Sequence, residues 1–211
     1  MAAADLHFAA GVIALTGGIG SGKSSVARWL RDKVGYAYIS ADEQVALLLE
    51  PDTCGWLRLR DILKPDFFSG DGVLDKARLR RAIFRDADLR SVVERTLHPL
   101  VLQKIRDAVR EVDKHNLPCL VEVPLLYEAG WQQYFNKVIV VYAAADVCAA
   151  RIQKRDGAGA EDVNAAINAQ MPLKEKILRA DYVIDNSERW ADTAAQINKL
   201  QKELDTLLTI S

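Results

Sequence analysis

The chain has 211 residues, half of them apolar, which is enough to bury one substantial core in a single domain. Its 28 basic and 29 acidic residues are well mixed and give a formal net charge of −1, so the chain lacks the broad basic surface that duplex nucleic acid requires. The three cysteines are widely spaced and form no C-x-x-C motif, so neither a disulfide framework nor a zinc site is predicted.

The start of the chain gives no targeting signal. Residues Met1 to Phe8 carry no cationic segment, and the apolar run that follows them is short, so no signal peptide is predicted. No stretch approaches the ~20 continuous apolar residues of a membrane span. We therefore expect a cytoplasmic protein that has neither a membrane nor a nucleic acid as its partner.

The first predicted strand, Gly11 to Leu15, leads into the glycine-rich run from Gly17 to Ser24. This run fits the P-loop pattern G-x-x-x-x-G-K-[ST], and the strand before it and the helical spacing after it favour a P-loop over a plain tight turn. In a P-loop the glycines let backbone N–H groups converge on a phosphate, and the next helix adds its positive N-terminal end. Lys23 would reach the outer phosphates and Ser24 would ligate Mg²⁺. The predicted phosphate-binding residues are Gly18, Gly20, Ser21, Gly22, Lys23, Ser24 and Ser25.

Four more short apolar segments follow and alternate with stretches of helical spacing: Tyr36 to Ile39, Cys119 to Val123, Lys137 to Tyr142 and Tyr182 to Ile184. Alternating strands and helices predict an α/β fold, a three-layer P-loop architecture with a five-stranded parallel sheet. The strands show no inside/outside alternation, because helices cover both faces of such a sheet. Ligands of these folds bind beyond the carboxyl ends of the strands.

About eighty residues separate the second and third strands, far more than one crossover helix needs. We interpret residues 45–116 as a helical acceptor-binding insertion in which Pro99 ends one helix and begins the next. Residues 149–180, rich in arginine and lysine, are predicted to form a mobile helical lid. The nucleotide-binding core then comprises 11–44, 117–148 and 181–211, the last with an amphipathic helix that includes Leu207.

A P-loop alone does not select a reaction, because motors, switches and kinases all have one. The N-K-x-D motif by which a GTPase recognises guanine is absent. The third strand ends in Val121-Glu122-Val123-Pro124, an ambiguous match to the acidic strand end that holds the magnesium water in ATPases. A large helical insertion and an arginine-rich segment favour a kinase, which must close around two substrates to exclude water.

Several segments together resemble the dephospho-coenzyme A kinase family almost end to end. They are Thr16 to Ser24, Ala41-Asp42, His98-Pro99, Pro124 to Glu128, Arg155-Asp156-Gly157, Gln170 to Leu173 and Ala180 to Ser187. The P-L-L-[FY]-E and A-D-x-V-I-D-N segments are highly specific. The resemblance implies that ATP and Mg²⁺ are used to phosphorylate the ribose 3′-hydroxyl of dephospho-coenzyme A, giving coenzyme A and ADP in the final step of coenzyme A biosynthesis.

The resemblance also implies roles for individual residues. Asp42 would orient the acceptor hydroxyl and accept its proton, and Lys23 and Arg155 would complete the catalytic set. From the residues alone, Asp42 could equally be the N-cap of a helix that begins at Glu43. Arg151, one helical turn before Arg155, and Asn186 are implied nucleotide contacts, with Arg155 the stronger match to the family's phosphate-binding arginine.

The implied contacts of the acceptor are His98, Pro124, Leu125 and Glu128, although Glu128 could also be a solvated loop acid. The family usually shows D-x-D where this chain has Ser40-Ala41-Asp42. The first carboxylate is therefore missing, and the metal shell is less certain than the P-loop contacts. Three nearby aromatic residues are predicted to belong to the core and not to stack on a ligand: Tyr127, Trp131 and Tyr134.

Two other functions stay open on the sequence alone. One is another small-metabolite or nucleoside kinase on the same scaffold, which would differ only in its insertion. The other is a non-catalytic nucleotide-binding regulator, which the loss of the first acid of D-x-D would permit. We expect a monomer, with a trimer as the alternative.

Overall fold

The computed structural model describes residues 7–9, 11–115, 117–157 and 159–209, with side chains described as far as residue 204. The expectations for residues 1–6, for Ala158 and for the side chain of Leu207 lie outside this part of the chain. The chain divides into two compact units. The first unit contains the residues up to Ile39 and from Val109 onward, and the second unit is Ser40–Ala108.

The central sheet has the strand order β2-β3-β1-β4-β5. The strands are β1 (Val12–Gly17), β2 (Ala37–Ser40), β3 (Cys119–Glu122), β4 (Lys137–Tyr142) and β5 (Tyr182–Asp185). β1 pairs in parallel with both β3 and β4, and β4 pairs in parallel with β5. Every residue of β1 and β3 is buried, as expected where helices cover both faces of a sheet. The predicted α/β class and five-stranded sheet are confirmed.

The described residues form α-helices between these strands and after the last of them: α1 (Lys23–Trp29), α2 (Ala41–Leu48), α3 (Cys54–Ile62), α4 (Lys76–Arg85), α5 (Ala87–Asp113), α6 (Ala145–Asp156), α7 (Ala160–Asn168), α8 (Leu173–Leu178) and α9 (Trp190–Thr209). A π-helix, Leu30–Val34, continues α1, and short 3₁₀ helices cover Pro65–Phe67 and Trp131–Tyr134. Among the residues described, no helix is long and apolar enough to cross a bilayer.

One core cluster of the first unit lies between the sheet and the helices α1 and α9. Ile13, Leu15 and Ile139 of the sheet are almost fully buried, and they share one cluster with Leu30 and Ile197. Leu200 and Leu204 of α9 belong to the same cluster. The predicted amphipathic helix therefore packs on the sheet through its apolar face, as far as its side chains are described.

The second unit is helical and has its own core. This core contains Trp56, Leu59, Leu63, Phe67, Leu74, Leu79, Val93 and Leu97. The predicted insertion, residues 45–116, overlaps this unit, although the unit begins already at Ser40.

The predicted helix break at Pro99 is wrong, because α5 runs through Pro99 without interruption. Proline removes one backbone donor and so costs the helix one hydrogen bond, to the carbonyl of Arg95. The side chains of Leu97 and Val101 on either side of the proline are buried. Their packing offsets the lost hydrogen bond, a tertiary effect that the local residue pattern does not contain.

The three cysteines are unpaired. Cys54 is exposed at the start of α3, whereas Cys119 and Cys148 are buried. Burial raises the pKa of the Cys119 thiol to about 12 and also raises the pKa of Cys148. Both buried thiols are therefore protonated and unreactive at neutral pH.

Candidate active site

The P-loop follows β1 and depends on glycine for its backbone. Gly20 and Gly22 adopt left-handed conformations with φ of 77° and 90°. A Cβ atom on Gly22 would lie 2.2 Å from the Asn186 amide nitrogen, and one on Gly20 would lie 2.6 Å from the Cys148 carbonyl oxygen. Both the backbone angle and the close neighbours exclude larger residues here.

Several backbone donors of the P-loop are open to a ligand. The N–H of Ser21 donates to the Gly18 carbonyl at 3.2 Å, and that of Ile19 donates to the side-chain oxygen of Gln170 at 2.9 Å. The N–H groups of Gly20, Gly22 and Ser24 have no acceptor among the residues that the structure describes. A phosphate group satisfies such donors, as in other backbone anion sites.

Lys23 is held by the P-loop itself. Only 8% of the residue is exposed, and its ammonium group donates to the carbonyls of Gly17 at 3.2 Å and Gly18 at 2.9 Å. The cation is thus already inside the loop that would receive the phosphates. To reach a bound phosphate, the ammonium would have to exchange these carbonyl bonds for bonds to an anion, which are stronger.

The hydroxyl of Ser24 donates to the Glu122 carboxylate at the end of β3, 3.4 Å from Oε1. The other carboxylate oxygen, Oε2, accepts a hydrogen bond from the Tyr38 hydroxyl at 2.7 Å. Glu122 is 6% exposed. Glu122 is only an ambiguous match to the acidic strand end of ATPases in sequence, and the fold shows that its carboxylate lies beside the P-loop serine.

Arg151 and Asn186 both bind the backbone of the P-loop. The Asn186 amide donates to the Ser21 carbonyl at 2.8 Å, and the Arg151 guanidinium donates to the carbonyls of Ser21 at 3.3 Å and Asn186 at 2.9 Å. Asn186 is 4% exposed, and its side-chain oxygen accepts from the Thr193 hydroxyl. These two residues, predicted as nucleotide contacts, therefore also fix the shape of the loop.

Arg155 lies one turn further along α6 and points elsewhere. Its guanidinium makes two hydrogen bonds of 2.7 Å with the neighbouring carboxylate of Asp156. Both side chains are exposed, and the pair lowers the pKa of Asp156. The structure thus brings Arg151, and not Arg155, into contact with the P-loop.

The segment after β3 is anchored to α8 through Lys176. The Lys176 ammonium lies 2.8 Å from Oε1 of Glu128 and donates to the Pro124 carbonyl at 3.1 Å, and this lysine is fully buried. Oε1 of Glu128 also accepts from the Met171 N–H at 2.9 Å. Glu128 is therefore held through Oε1 and is not a free loop acid. Its other carboxylate oxygen has no hydrogen-bond partner among the described residues, and 23% of the side chain is exposed. Leu125, in the same segment, is 44% exposed.

Lys176 is a structural residue, although its sequence context predicts only one of several polar residues of the lid. A lysine is almost never fully buried unless it is paired. Its pairing to Glu128 could not be predicted because the two residues lie far apart in the chain. The only sign of this contact in the sequence is that Glu128 belongs to the family-specific segment P-L-L-Y-E.

We expect Glu128→Gln to lower the free energy of unfolding by roughly 3 kcal/mol, because it leaves the fully buried Lys176 ammonium without its ionic partner. Urea unfolding measures this loss. Glu188→Gln is the matched control, because Glu188 is an exposed acid. Adding Lys176→Met to Glu128→Gln should recover part of the lost stability, since the uncompensated buried charge is then removed. Equal stability of the Glu128 and Glu188 variants would contradict this account.

An apolar cavity of about 390 Å³ adjoins the P-loop on the side of β4. Its lining includes Gly18, Ile19, Tyr142, Met171 and Leu173. The cavity lies at the carboxyl end of β4, where parallel sheets bind their ligands.

The aromatic residues near Glu128 are packed in the protein. Tyr127 and Trp131 are 5% and 6% exposed, and Tyr134 is half-buried. Burial raises the pKa of Tyr127 to about 12. The prediction that Tyr127 and Trp131 are core residues is confirmed.

Asp42 and His98 belong to the second unit. Asp42 is exposed in the first turn of α2, and the N-cap of that helix is Ser40, whose hydroxyl accepts from the Glu43 N–H at 3.3 Å. Asp42 is therefore not the N-cap. His98 is half-buried in the middle of α5, and burial lowers its pKa while Glu94 opposes that effect.

Comparisons with known proteins agree with this geometry. A family model described as dephospho-CoA kinase matches residues 11–192. The chain belongs to the dephospho-CoA kinase family. The resemblance inferred from its motifs is thereby confirmed.

Individual relatives of this dephospho-CoA kinase family member match over most of their length. A dephospho-CoA kinase from Desulfotalea psychrophila is 38% identical over 185 residues, which cover 88% of this chain and 93% of the relative. The crystal structure of a Thermus thermophilus protein is 30% identical, with a TM-score of 0.77 and coverage of 92% and 97%. A dephospho-CoA kinase structure from Campylobacter jejuni is 25% identical, with a TM-score of 0.64 and coverage of 92% and 96%.

Proposed function

We propose that this family member transfers the γ-phosphoryl group of ATP to the 3′-hydroxyl of dephospho-CoA, giving CoA and ADP. The observation that carries the proposal is the match of one family model to residues 11–192, which include the P-loop, Asp42 and the Glu128 segment. The open amide donors of the P-loop support ATP as the phosphoryl donor.

The proposal includes Mg²⁺, and the residues present fit this ion. Mg²⁺ prefers oxygen ligands, keeps several waters and is usually held by one or two carboxylates together with substrate phosphates. Ser24 provides a hydroxyl oxygen and Glu122 a buried carboxylate beside it. Among the described residues no group of three or more His, Cys, Asp or Glu side chains could hold a metal alone. When bound, the ion would neutralise charge that develops on the phosphate oxygens.

In the proposed mechanism Lys23 leaves the P-loop carbonyls and holds the γ-phosphate in line with the acceptor. The 3′-oxygen forms the new bond to phosphorus as the bond from phosphorus to the bridging oxygen of ADP breaks. Asp42 accepts the proton of the 3′-hydroxyl. Its carboxylate is available for this because Ser40, and not Asp42, caps α2.

The lid and the insertion would enclose the two substrates. Residues 149–180 would close over the nucleotide, and Arg155 would then give up its hydrogen bonds to Asp156 and donate to a phosphate oxygen instead. Arg151 and Asn186 would hold the P-loop in its binding conformation. Residues 45–116 would bind the acceptor with the help of His98, while Pro124, Leu125 and Glu128 contact it from the core.

A monomer in the cytoplasm is part of the proposal, with a trimer as the alternative. The three unpaired cysteines suit a reducing compartment.

ADP release from Mg·ATP by the purified protein tests the proposed acceptor. We expect strong stimulation by dephospho-CoA and none by adenosine or a nucleoside monophosphate at the same concentration, because the insertion would fit the longer acceptor. The phosphorylated product is then identified as CoA by mass spectrometry. ATP binding without stimulation by any of the three acceptors would contradict the proposal and favour a nucleotide-binding regulator.

A further inference from the structure

We propose that the apolar cavity beside Gly18 and Ile19 binds the adenosine half of the acceptor, while the pantetheine arm of dephospho-CoA stays outside it. This ligand deepens the proposed function and rests on it, because dephospho-CoA is the acceptor proposed above. It also gives a role to the segment from Gln170 to Leu173, which the family resemblance leaves without one.

The cavity has the size and the walls of a small-molecule site. Its volume of about 390 Å³ lies within the roughly 300–1,000 Å³ of ligand pockets. Its apolar walls include Ile19, Met171 and Leu173. A planar purine base suits such walls, because its faces pack against side chains and only its edges form hydrogen bonds. The volume holds a nucleoside but not the pantetheine arm as well.

The P-loop forms part of the cavity wall, and this restricts which half of the acceptor can enter. Gly18 and Ile19 are both lining residues. The reacting 3′-hydroxyl must lie in line with the γ-phosphate at the P-loop, and it belongs to the ribose of the adenosine half. The adenosine half is therefore the part of dephospho-CoA that comes next to this loop.

The two ends of the P-loop have different neighbours, which separates the acceptor from ATP. Gly22, one of the residues with an open N–H, lies beside Arg151 and Asn186, the proposed nucleotide contacts. Gly18 lies beside Leu173 instead, since a Cβ atom on this glycine would come within 3.4 Å of a leucine methyl group. ATP held at the Gly22 end would leave the Gly18 end, and with it the cavity, to the acceptor.

The cavity also shares a wall with the segment that the family resemblance assigns to the acceptor. The N–H of Met171 donates to Oε1 of Glu128 at 2.9 Å, and Met171 lines the cavity. The buried Lys176 binds both Glu128 and the Pro124 carbonyl, so this wall is held in place. An acceptor that contacts Pro124 and Glu128 is thus already beside the cavity.

Gln170 provides a polar group for the edge of the base. Its side-chain oxygen accepts from the N–H of Ile19 at 2.9 Å, which fixes the carboxamide. Gln170 lines the cavity, and its amide nitrogen has no acceptor among the residues that the structure describes. Because a purine has ring nitrogens that accept hydrogen bonds, Gln170 can donate to the base without leaving the P-loop.

The competing explanations are that the cavity has no ligand or that it takes the pantetheine arm. Ala145→Phe separates the first of these from the proposal, because Ala145 is exposed and lines the cavity, so a phenyl ring there would take up its space. Ala150→Phe is the matched control, since Ala150 is exposed on the same helix and lies outside the lining.

The Kd of dephospho-CoA is measured by calorimetry in the presence of a saturating non-hydrolysable ATP analogue. We expect Ala145→Phe to raise this Kd by about 10-fold or more, because the ring competes with the base for the same space. Ala150→Phe should bind dephospho-CoA as the unchanged protein does, and both variants should keep their affinity for the ATP analogue. Equal affinity of the two variants for dephospho-CoA would overturn the proposal.

AMP and 4′-phosphopantetheine, the two halves of the acceptor, identify which half enters the cavity. In the same buffer AMP should compete with dephospho-CoA, and Ala145→Phe should weaken AMP binding by about the same factor. The substitution should leave the binding of 4′-phosphopantetheine unchanged. The opposite pattern would place the pantetheine arm in the cavity and refute the assignment, as would a failure of AMP to compete.

A second pair of variants keeps the test decisive if Ala145→Phe does not fold. Asn168→Phe fills the cavity from α7, where Asn168 is exposed and lines it, and Asn164→Phe is its control on the same helix. The same results are expected and the same ones would contradict the proposal. Normal turnover of dephospho-CoA with ineffective cavity variants would overturn this assignment alone. An unchanged protein that neither binds nor phosphorylates dephospho-CoA would overturn the proposed function as well.

Discussion

Lys23→Ala should reduce kcat/KM for ATP by at least about 10³-fold, because it removes a cation from the centre of the phosphate site. Lys23 is 8% exposed and its ammonium already lies within hydrogen-bond distance of two P-loop carbonyls. Its charge is therefore delivered to the phosphates with little cost in side-chain entropy. Steady-state kinetics with dephospho-CoA as the acceptor measure the loss.

Lys33→Ala is the matched control for this substitution. Lys33 is an exposed lysine of the π-helix that continues α1, so its removal changes net charge equally without touching the P-loop. We expect the control to keep nearly full activity. A Lys23 variant that retained a tenth or more of the activity would show that the backbone amides position the phosphates alone.

Asp42→Asn should lower kcat by about 10²- to 10⁴-fold while leaving the affinity for ATP unchanged, because it removes a general base but keeps the size of the side chain. Asp42 is exposed and does not cap α2, so the substitution costs little stability. Turnover is measured with saturating ATP, and nucleotide affinity is measured separately by calorimetry.

Glu43→Gln is the control for Asp42→Asn, because Glu43 is an exposed acid in the same helical turn. This control should turn over at the normal rate. If Asp42→Asn did so as well, another group would have to accept the proton of the acceptor hydroxyl, and Asp42 would lose its role in the mechanism.

The strands and the P-loop could be predicted because local sequence determines them. Each predicted strand lies within two residues of an observed one, since a buried parallel strand is a short apolar run whatever packs around it. Gly20 and Gly22 are similarly predictable, because their left-handed backbone admits few other residues.

The contacts that hold the site together could not be predicted, because they join distant parts of the chain. Arg151 and Arg155 have the same helical face and the same chemistry, and only the fold shows that Arg151 contacts the P-loop. Nothing in the local sequence distinguishes Lys176 from the other polar residues of the lid, and only the fold shows its pairing with Glu128. The position of Glu122 beside Ser24 likewise depends on the pairing of β3 with β1.

Ser40 has a structural role that the comparison with the D-x-D pattern does not indicate. The sequence marks it as a lost acid, whereas the structure shows that it is the N-cap of α2. Serine and aspartate are about equally good N-caps, so the substitution removes a charge without disturbing the helix. The capping role of Ser40 in turn leaves the carboxylate of Asp42 uncommitted.

The pair of Lys176 and Glu128 also restricts how this sequence can diverge. Substituting Glu128 leaves the fully buried Lys176 cation without its ionic partner and the Met171 N–H without its acceptor. Substituting Lys176 leaves the Pro124 carbonyl without that donor. Because either loss lowers stability, we expect the two positions to vary together among relatives, although they lie in different segments of the chain.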